Sequence, residues 1–528
     1  MRLTSFIFAA LAFAAPESDL VGSKVCAGCH ASIAQTYFTT GMARTSSSVG
    51  GSSFRERFND VNDPHNGARY RIGSNYRVNF NRSASGVAGA FDLKWAIGSG
   101  AVGRSYITNI EGFLFQAPVS YFSSAARWDL SPGFAGKPVI DLARPIEAAC
   151  LQCHTTGPQL IEGTQNRYAD RPFFEMGIGC ERCHGLGRRH VEAMKSGSGE
   201  RAIVNPAKLD AARRDSVCLQ CHLTGAVRVA RFGTSAFAYQ PGDLLSNHLS
   251  VFVWSSAVNG LAAATDHAEQ FSRSKCSQVS GAKMWCGSCH DSHSEPVPEQ
   301  RASFFRQRCL TCHETTSCKE AAPLRATRQD DCRACHMPKA QSLEGEHVAF
   351  TLHSIPRRAS APSSSSGIRD LRPFFSSLTA ERDLALAYAS LALTDSTWRP
   401  RALTLLEKSA SLADPVVLAQ LAQFYDAQGK REKAMELYRR VLRLDPRHPT
   451  AAANLGIYLT QNGQSRQAME LWKDVFARYP ALVGPGMNLA AAQYEAGDRK
   501  ACEATLLRIL RFHPDFTAAR QLLEHLRR

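Results

Sequence analysis

Cys180-Glu181-Arg182-Cys183-His184 sets the reading of this chain. Two thiols separated by two residues, with His next, form the attachment signature of c-type haem. The thiols add to the two vinyl groups of the porphyrin, and the adjacent His falls under the iron as its proximal ligand. The same pentapeptide pattern recurs at Cys26/Cys29/His30, Cys150/Cys153/His154, Cys218/Cys221/His222, Cys286/Cys289/His290, Cys309/Cys312/His313 and Cys332/Cys335/His336. Seven copies use 14 of the 17 cysteines. Zinc ribbons and redox dithiols also use paired cysteines, but neither needs His after the second Cys seven times over. The spacing therefore predicts seven covalently attached haem c groups, each with its iron.

Outward from that motif, six copies crowd between Cys150 and His336, the last three at intervals of 23 residues. Such spacing leaves room for one short helix and a turn per haem, so neighbouring rings pack closely. The first motif stands apart, followed by a helical stretch from Ala31 to Thr40 and a Ser/Gly-rich loop from Ser46 to Ser53. From Arg69 to Phe122 the pattern changes to short alternating runs such as Tyr76-Arg77-Val78-Asn79-Phe80, punctuated by Gly and Asn, which predicts a small antiparallel β-subdomain.

No motif occurs after His336, and the composition turns to Ala and Leu. Self-comparison at a period of 34 residues aligns Leu421, Leu455 and Leu489; Gly429, Gly463 and Gly497; Ala434, Ala468 and Cys502; Tyr438, Trp472 and Leu506; and Pro446, Pro480 and Pro514. This is the tetratricopeptide pattern of helix, Gly turn, helix and Pro. A degenerate repeat precedes it from Leu384 to Ala413. The fold class expected is mixed: a haem-packed multihaem cytochrome c region of short helices and loops with a β-rich insert, then an all-α solenoid. The expected divisions are a signal peptide at 1–15, the cytochrome at 16–356 with its β-insert near 69–122, a Ser/Pro linker at 357–378, and repeats at 379–528.

The signal peptide rests on Arg2, the apolar run Phe6 to Ala15 and the small residues Ala12 and Ala14 before Pro16. It predicts export to the periplasm, where haem attachment takes place in bacteria; retention as a membrane anchor is the rival. The formal charge of +15 invites a nucleic-acid reading. Two propionates per haem offset much of it, and a mildly basic protein that docks an acidic partner is expected instead.

Several local phrases carry a family resemblance. They are Cys26-Ala27-Gly28-Cys29-His30 with Tyr37 and Gly41-Met42-Ala43-Arg44 after it; Gly179 to Gly185 closed by His190; Cys286 to His293; and Cys335-His336-Met337-Pro338-Lys339. With these the first 355 or so residues resemble multihaem cytochromes related to the tetrahaem cytochrome that accepts electrons from hydroxylamine oxidoreductase. The resemblance implies electron transfer and haem c. Seven motifs, not four, and Met42 where many relatives place a His, are departures from it.

Seven histidines in the cytochrome region lie outside the motifs: His65, His190, His248, His267, His293, His347 and His353. Their number permits a second imidazole at every iron without requiring it. His293 follows His290 too closely to reach round the same ring, so it would serve another iron; the resemblance implies that His190, six residues past its own motif, caps a neighbouring haem. His353 and His347 lie just past the last motif, His267 follows an acid, and little around His65 or His248 is diagnostic. Met42 is a candidate thioether ligand or a packing residue. Cys276 and Cys318 could form a disulfide or stay free, and Cys502 holds the small-residue position of a repeat.

Three functions are compatible with these residues. The first is an electron carrier whose repeats dock a redox partner protein or a membrane complex. The second is a reductase or oxidase of small nitrogen or sulfur oxyanions at one open-site haem, with Arg104, Tyr106, Tyr121 or Arg127 as conceivable anion-binding groups. The third is an assembly scaffold. Electron transfer is favoured because no iron obviously lacks a sixth ligand.

Overall fold

The computed structural model describes residues 19–51, 54–199, 201–255, 266–314, 317–339, 351–357, 370–375 and 380–528. The expected signal peptide and His347 lie outside them. An antiparallel sheet of eight strands dominates the N-terminal part. Its strands are β1 (Ser46–Ser48), β2 (Asp60–Asn62), β3 (Ala68–Ile72), β4 (Arg77–Arg82), β5 (Val87–Ile97), β6 (Gly103–Ile110), β7 (Phe113–Phe122) and β8 (Arg127–Leu130). They run in the order β2-β3-β4-β5-β6-β7-β8, with β1 beside β5.

Alternation drives the outer strands. Ala68, Tyr70 and Ile72 point inward while Arg69 and Arg71 face water. The inward set meets Val78, Phe80, Leu93, Tyr106 and Trp128 in one core. β7 is buried from Phe113 to Tyr121 because its second face packs on Ile146, Leu151 and Phe512. Glu111 and Gly112 turn β6 into β7 with φ of 56° and 83°, the paired positive values of a type I′ hairpin.

The sheet is larger than the insert expected near 69–122. Ser46–Ser48, read as loop, pairs with Trp95–Ile97. β2 and β8 extend the sheet beyond its expected ends. β1 and β2 are short and mostly polar, and β8, Arg127-Trp128-Asp129-Leu130, alternates over only four residues, too few to mark a strand in sequence.

Two smaller sheets follow: β9 (Thr155–Leu160) with β10 (Tyr168–Met176), and β11 (Val227–Ala230), β12 (Leu249–Trp254) and β13 (Leu371–Pro373). β13 lies inside the expected linker. Leu371, Phe374 and Phe375 give that short piece an apolar character that its Ser/Pro-rich surroundings mask.

The motifs sit on short helices joined by loops, such as Ala148–His154, Glu181–His184, Ala211–His222 and Cys332–His336. Between Lys275 and Lys339 no described residue is buried. Helices there have no amino-acid core to pack against.

The C-terminal part is all helix. Four pairs run Glu381–Leu391 with Arg399–Ser409, Pro415–Ala427 with Arg431–Leu444, Pro449–Gln461 with Ser465–Arg478, and Val483–Glu495 with Arg499–Phe512; Thr517–Arg527 closes the stack. Ala434, Ala468 and Cys502 are fully buried where paired helices meet, and Tyr438, Trp472 and Leu506 fill the grooves. Gly456 is required by close approach: a Cβ there would stand 2.5 Å from the Trp472 indole nitrogen, which donates to the Ala453 carbonyl.

The solenoid is anchored at both ends to the rest of the chain. Helix Glu381–Leu391 packs on β11, β12 and β13 through Val227, Phe252 and Leu371. At the far end, Phe512 stacks edge-on against Phe113 and Phe115, and Arg82 pairs with the buried Asp515 at 2.7 Å. Arg508 and Arg511 both reach Glu111 in the β6–β7 turn.

Candidate functional site

One cavity of about 3800 Å³ runs through the motif-bearing region, and every one of the seven motifs contributes to its wall. Thiols of different motifs meet in pairs across it: Cys26 with Cys180, Cys153 with Cys221, Cys218 with Cys286, and Cys309 with Cys332. Hydrogen bonds from Cys26 and Cys221 hold the thiols of Cys180 and Cys153 down at about 6. These contacts place motif one beside three, two beside four, four beside five, and six beside seven.

The histidines come in facing pairs. His30 and His190 have ring centres 6.5 Å apart, His184 and His293 6.0 Å, His222 and His267 6.0 Å, and His290 and His353 6.2 Å. A metal–imidazole bond is about 2 Å long and roughly 1.2 Å separates that nitrogen from the ring centre, so two imidazoles on opposite sides of one metal have centres about 6.4 Å apart. All four pairs match that spacing. In each, one ring belongs to a motif and the other comes from a different segment. His190, on the helix after motif three, faces motif one; His293, just after motif five, faces motif three. His267 and His353 touch at 4.3 Å, so motifs four and five, whose His222 and His290 they face, are neighbours.

Hydrogen bonds fix which nitrogen faces the cavity. Nδ1 of His184 bonds the Val204 carbonyl at 2.8 Å, that of His336 the Pro356 carbonyl at 3.0 Å, and that of His353 the Thr351 carbonyl at 2.8 Å. Nδ1 of His190 bonds the Arg201 carbonyl, and that of His154 the Thr45 hydroxyl at 2.7 Å. Each carbonyl makes Nδ1 the donor and leaves Nε2 free to ligate, whereas the Thr45 hydroxyl can donate to or accept from His154. Burial lowers the pKa of His184, His222, His290 and His353, and takes His267 down to about 3. All five are therefore neutral at pH 7, the form that gives a lone pair to a metal.

Other candidates fall elsewhere. Met42 lines the cavity near Thr45 and His154. His65 is exposed in the β2–β3 turn, away from the cavity. His248 also lies outside it, with Nδ1 3.1 Å from the Thr234 hydroxyl and Nε2 3.5 Å from Asp243. Cys276 and Cys318 are free thiols on the cavity wall, and Cys502 is buried in its repeat. Tyr106 donates to Glu56 at 2.7 Å inside the β-core, and Arg104 is 3.7 Å from the same carboxylate. Tyr121 joins that core and Arg127 is exposed beside it, so none of these four lines the cavity.

Supporting residues went unseen in the sequence. Glu181, inside motif three, accepts from the backbone of Val21, Gly22 and Gly187. Glu175 accepts from Ser23. Together they tie the segment entering motif one to motif three. Arg182 donates to Gln220 at 2.8 Å and so joins motif three to motif four. Glu181 and Arg182 occupy the variable positions of the motif, where no spacing rule marks them.

Residues 136–185 match the family model for cytochrome c554 and c-prime. That segment holds motifs two and three. A cytochrome c domain implies haem c with iron, and the unburied stretch, the common cavity and the facing imidazoles all fit such a group. Residues 415–458 match a tetratricopeptide repeat model, a repeat type that mediates protein–protein interaction. No curated protein matches the chain. Among solved structures, MamA from Desulfovibrio magneticus RS-1 is 20% identical over 28% of this chain and 85% of its own, with a TM-score of 0.25. The first TPR of Spaghetti (RPAP3), bound to an HSP90 peptide, is 19% identical over 21% and 91%, with a TM-score of 0.20. At these values neither bears on function. Among the described residues no three His, Cys, Asp or Glu side chains converge on a bare-ion site.

Proposed function

We propose that this chain is an exported heptahaem c-type cytochrome that transfers electrons along closely packed haems, with its repeats docking a protein partner. The observation that carries the reading is the set of four imidazole pairs at 6.0–6.5 Å on the wall of one shared cavity. Bound haem c supplies a one-electron iron couple whose potential depends on the second ligand. The residues do the rest. Seven cysteine pairs hold the groups covalently, and the motif histidines bind from one side. His190, His293, His267 and His353 bind from the other. The carbonyls of Val204, Arg201 and Thr351 fix ring tautomers. The closeness of cysteines from different motifs, such as Cys26 with Cys180 and Cys218 with Cys286, puts neighbouring groups side by side.

The resemblance to cytochromes related to the hydroxylamine-oxidoreductase partner supports a carrier role, as does export to the periplasm under the expected signal at 1–15. The working divisions remain a cytochrome at 16–356, a linker at 357–378 and repeats at 379–528. The repeats serve a redox partner or membrane complex, and not nucleic acid. Intact mass and pyridine haemochrome analysis of the purified holoprotein test the reading: seven covalent haems are expected, and four or fewer would overturn it. Oxyanion reduction or oxidation is the second reading, favoured by the placement of His65 and His248 outside the cavity.

A further inference from the structure

We infer that Tyr37, at the end of the helix after motif one, is a positioning residue for the motif-three iron: it holds the peptide that leads into the motif and packs against the imidazole of His293 that faces His184. The inference rests on the proposed haem at motif three. It deepens that reading by naming what sets the orientation of the second ligand there.

Helix Ala31–Tyr37 starts directly at His30. Its last residue, Tyr37, is 7% exposed and lines the common cavity. The Tyr37 hydroxyl donates to the Ile178 carbonyl, just ahead of Cys180. The Ile178 N–H donates in turn to the Met42 carbonyl at 3.1 Å. One short stretch, Tyr37 to Met42, therefore grips Ile178 by both of its backbone groups. Gly177 beside it has φ of 70°, and a Cβ there would stand 1.9 Å from the Ala43 carbonyl oxygen, so the two segments lie backbone against backbone.

The same stretch holds the loop that carries His293. The ring centres of Tyr37 and His293 are 6.3 Å apart with planes at 70°, an edge-to-face contact of the kind that ring quadrupoles favour. The Gly41 N–H donates to the Glu295 carboxylate at 2.8 Å. Within the loop, Asp291 accepts from the His293 backbone at 2.9 Å and from the Ser294 hydroxyl at 2.8 Å, which fixes the backbone and not the ring. Nδ1 of His190 and of His353 each bonds a carbonyl, whereas neither ring nitrogen of His293 is hydrogen-bonded among the described residues. Packing against Tyr37 takes the place of that bond. The planes of His184 and His293 lie within 8° of each other, against 19°, 22° and 41° for the other facing pairs. Two near-parallel imidazoles on one ferric iron give a rhombic low-spin spectrum, and turning one ring raises its highest g value.

The test is EPR of the oxidised full-length holoprotein and its variants, with haem counted on each sample. Tyr37→Leu keeps an apolar filler and removes the ring. Its haem count should match that of the unaltered protein, and one low-spin signal should move to a higher g value while the rest stay. Tyr37→Phe keeps the ring contact and should leave that signal in place. The signal that Tyr37→Leu moves should be the one that disappears in His293→Ala. A fixed spectrum in Tyr37→Leu at full haem count, several signals moving together, or an equal shift in Tyr37→Phe would overturn the inference while leaving the cytochrome reading intact. Loss of a different signal in His293→Ala would overturn it as well. Where Tyr37→Leu loses haem, Glu295→Ala carries the test, because Glu295 is exposed. The signal that His293→Ala removes should then move, and a fixed one would overturn the inference. Absence of any bis-imidazole signal from the unaltered protein would overturn both readings.

Discussion

The repeats and the segment from Lys275 to Lys339 are both built from short helices, yet they are held together differently. In the repeats, side chains such as Ala434, Tyr438, Trp472 and Ile509 are at most 3% exposed and form continuous cores. In the motif-rich segment no described residue is buried. Hydrophobic burial stabilises the first at about 25 cal/mol per Å² of apolar area. The second has little of that term, and its helices are too short to stand alone. Under the proposed haem attachment its stability comes from what the cysteines and histidines hold. On the proposed reading, two helical regions of one chain depend on different chemistry, one on its own side chains and one on its cofactors.

The largest effect should appear when haem attachment is prevented. In chain produced without it, hydrogen exchange across 275–339 should approach that of an unfolded peptide, while helices from Pro415 to Phe512 stay protected. Protection of both regions would break the comparison.

Within the repeats, Trp472→Ala removes a groove-filling ring that is 3% exposed. It should cost about 3–5 kcal/mol in denaturant unfolding followed by helical circular dichroism. The absorption bands of the haem region should be unaffected, because no motif touches Trp472. A loss of haem absorbance in this variant would mean that the two regions unfold as one unit.

A pH experiment sharpens the same contrast. Burial pushes His448, which caps helix Pro449–Gln461, down to about 4. Its ordinary value is about 6.5. Above pH 6.5 it is neutral in both states and costs nothing. As pH falls below 6.5 the unfolded chain takes up a proton that the folded chain refuses until about pH 4. Repeat stability should therefore drop through that window, by on the order of 3 kcal/mol. His448→Asn keeps a capping group and should flatten the dependence; an unchanged slope would assign it to other groups.

The smallest effect expected is a tuning one. Thr45→Val removes the hydroxyl at Nδ1 of His154. A ring that loses this partner is a weaker donor, so one of the haem midpoints should rise while the others stay. A downward shift, or a shift of several midpoints together, would contradict that role.

Much of the site is written in the sequence because covalent attachment demands fixed spacing. Each Cys-x-x-Cys-His announces its own proximal ligand, and the 34-residue period announces the solenoid. The proposed second ligands are not local. His190 faces His30 from 160 residues away along the chain, and only the fold brings them together. His248 and His65 look like equal candidates by residue type, and their placement in a hydrogen-bonded turn and a solvent-facing hairpin separates them from the rest. The polar strands β1 and β2 escaped because hydrogen bonding to their neighbours, and not apolar alternation, forms them, and β8 because its alternation spans only four residues. β13 escaped because three apolar residues stand in a stretch dominated by Ser and Pro. The anchoring of the solenoid through Arg82 and Asp515 joins residues far apart in the chain and leaves no trace in composition.

The most direct check on the pairing is EPR of oxidised holoprotein carrying His293→Ala. Cys180, Cys183 and His184 remain, so the haem count should equal that of the unaltered protein. One bis-imidazole iron should be lost and replaced by a high-spin signal. An unchanged set of low-spin signals would mean that His293 does not face His184 across an iron, and the paired-imidazole architecture would have to be abandoned.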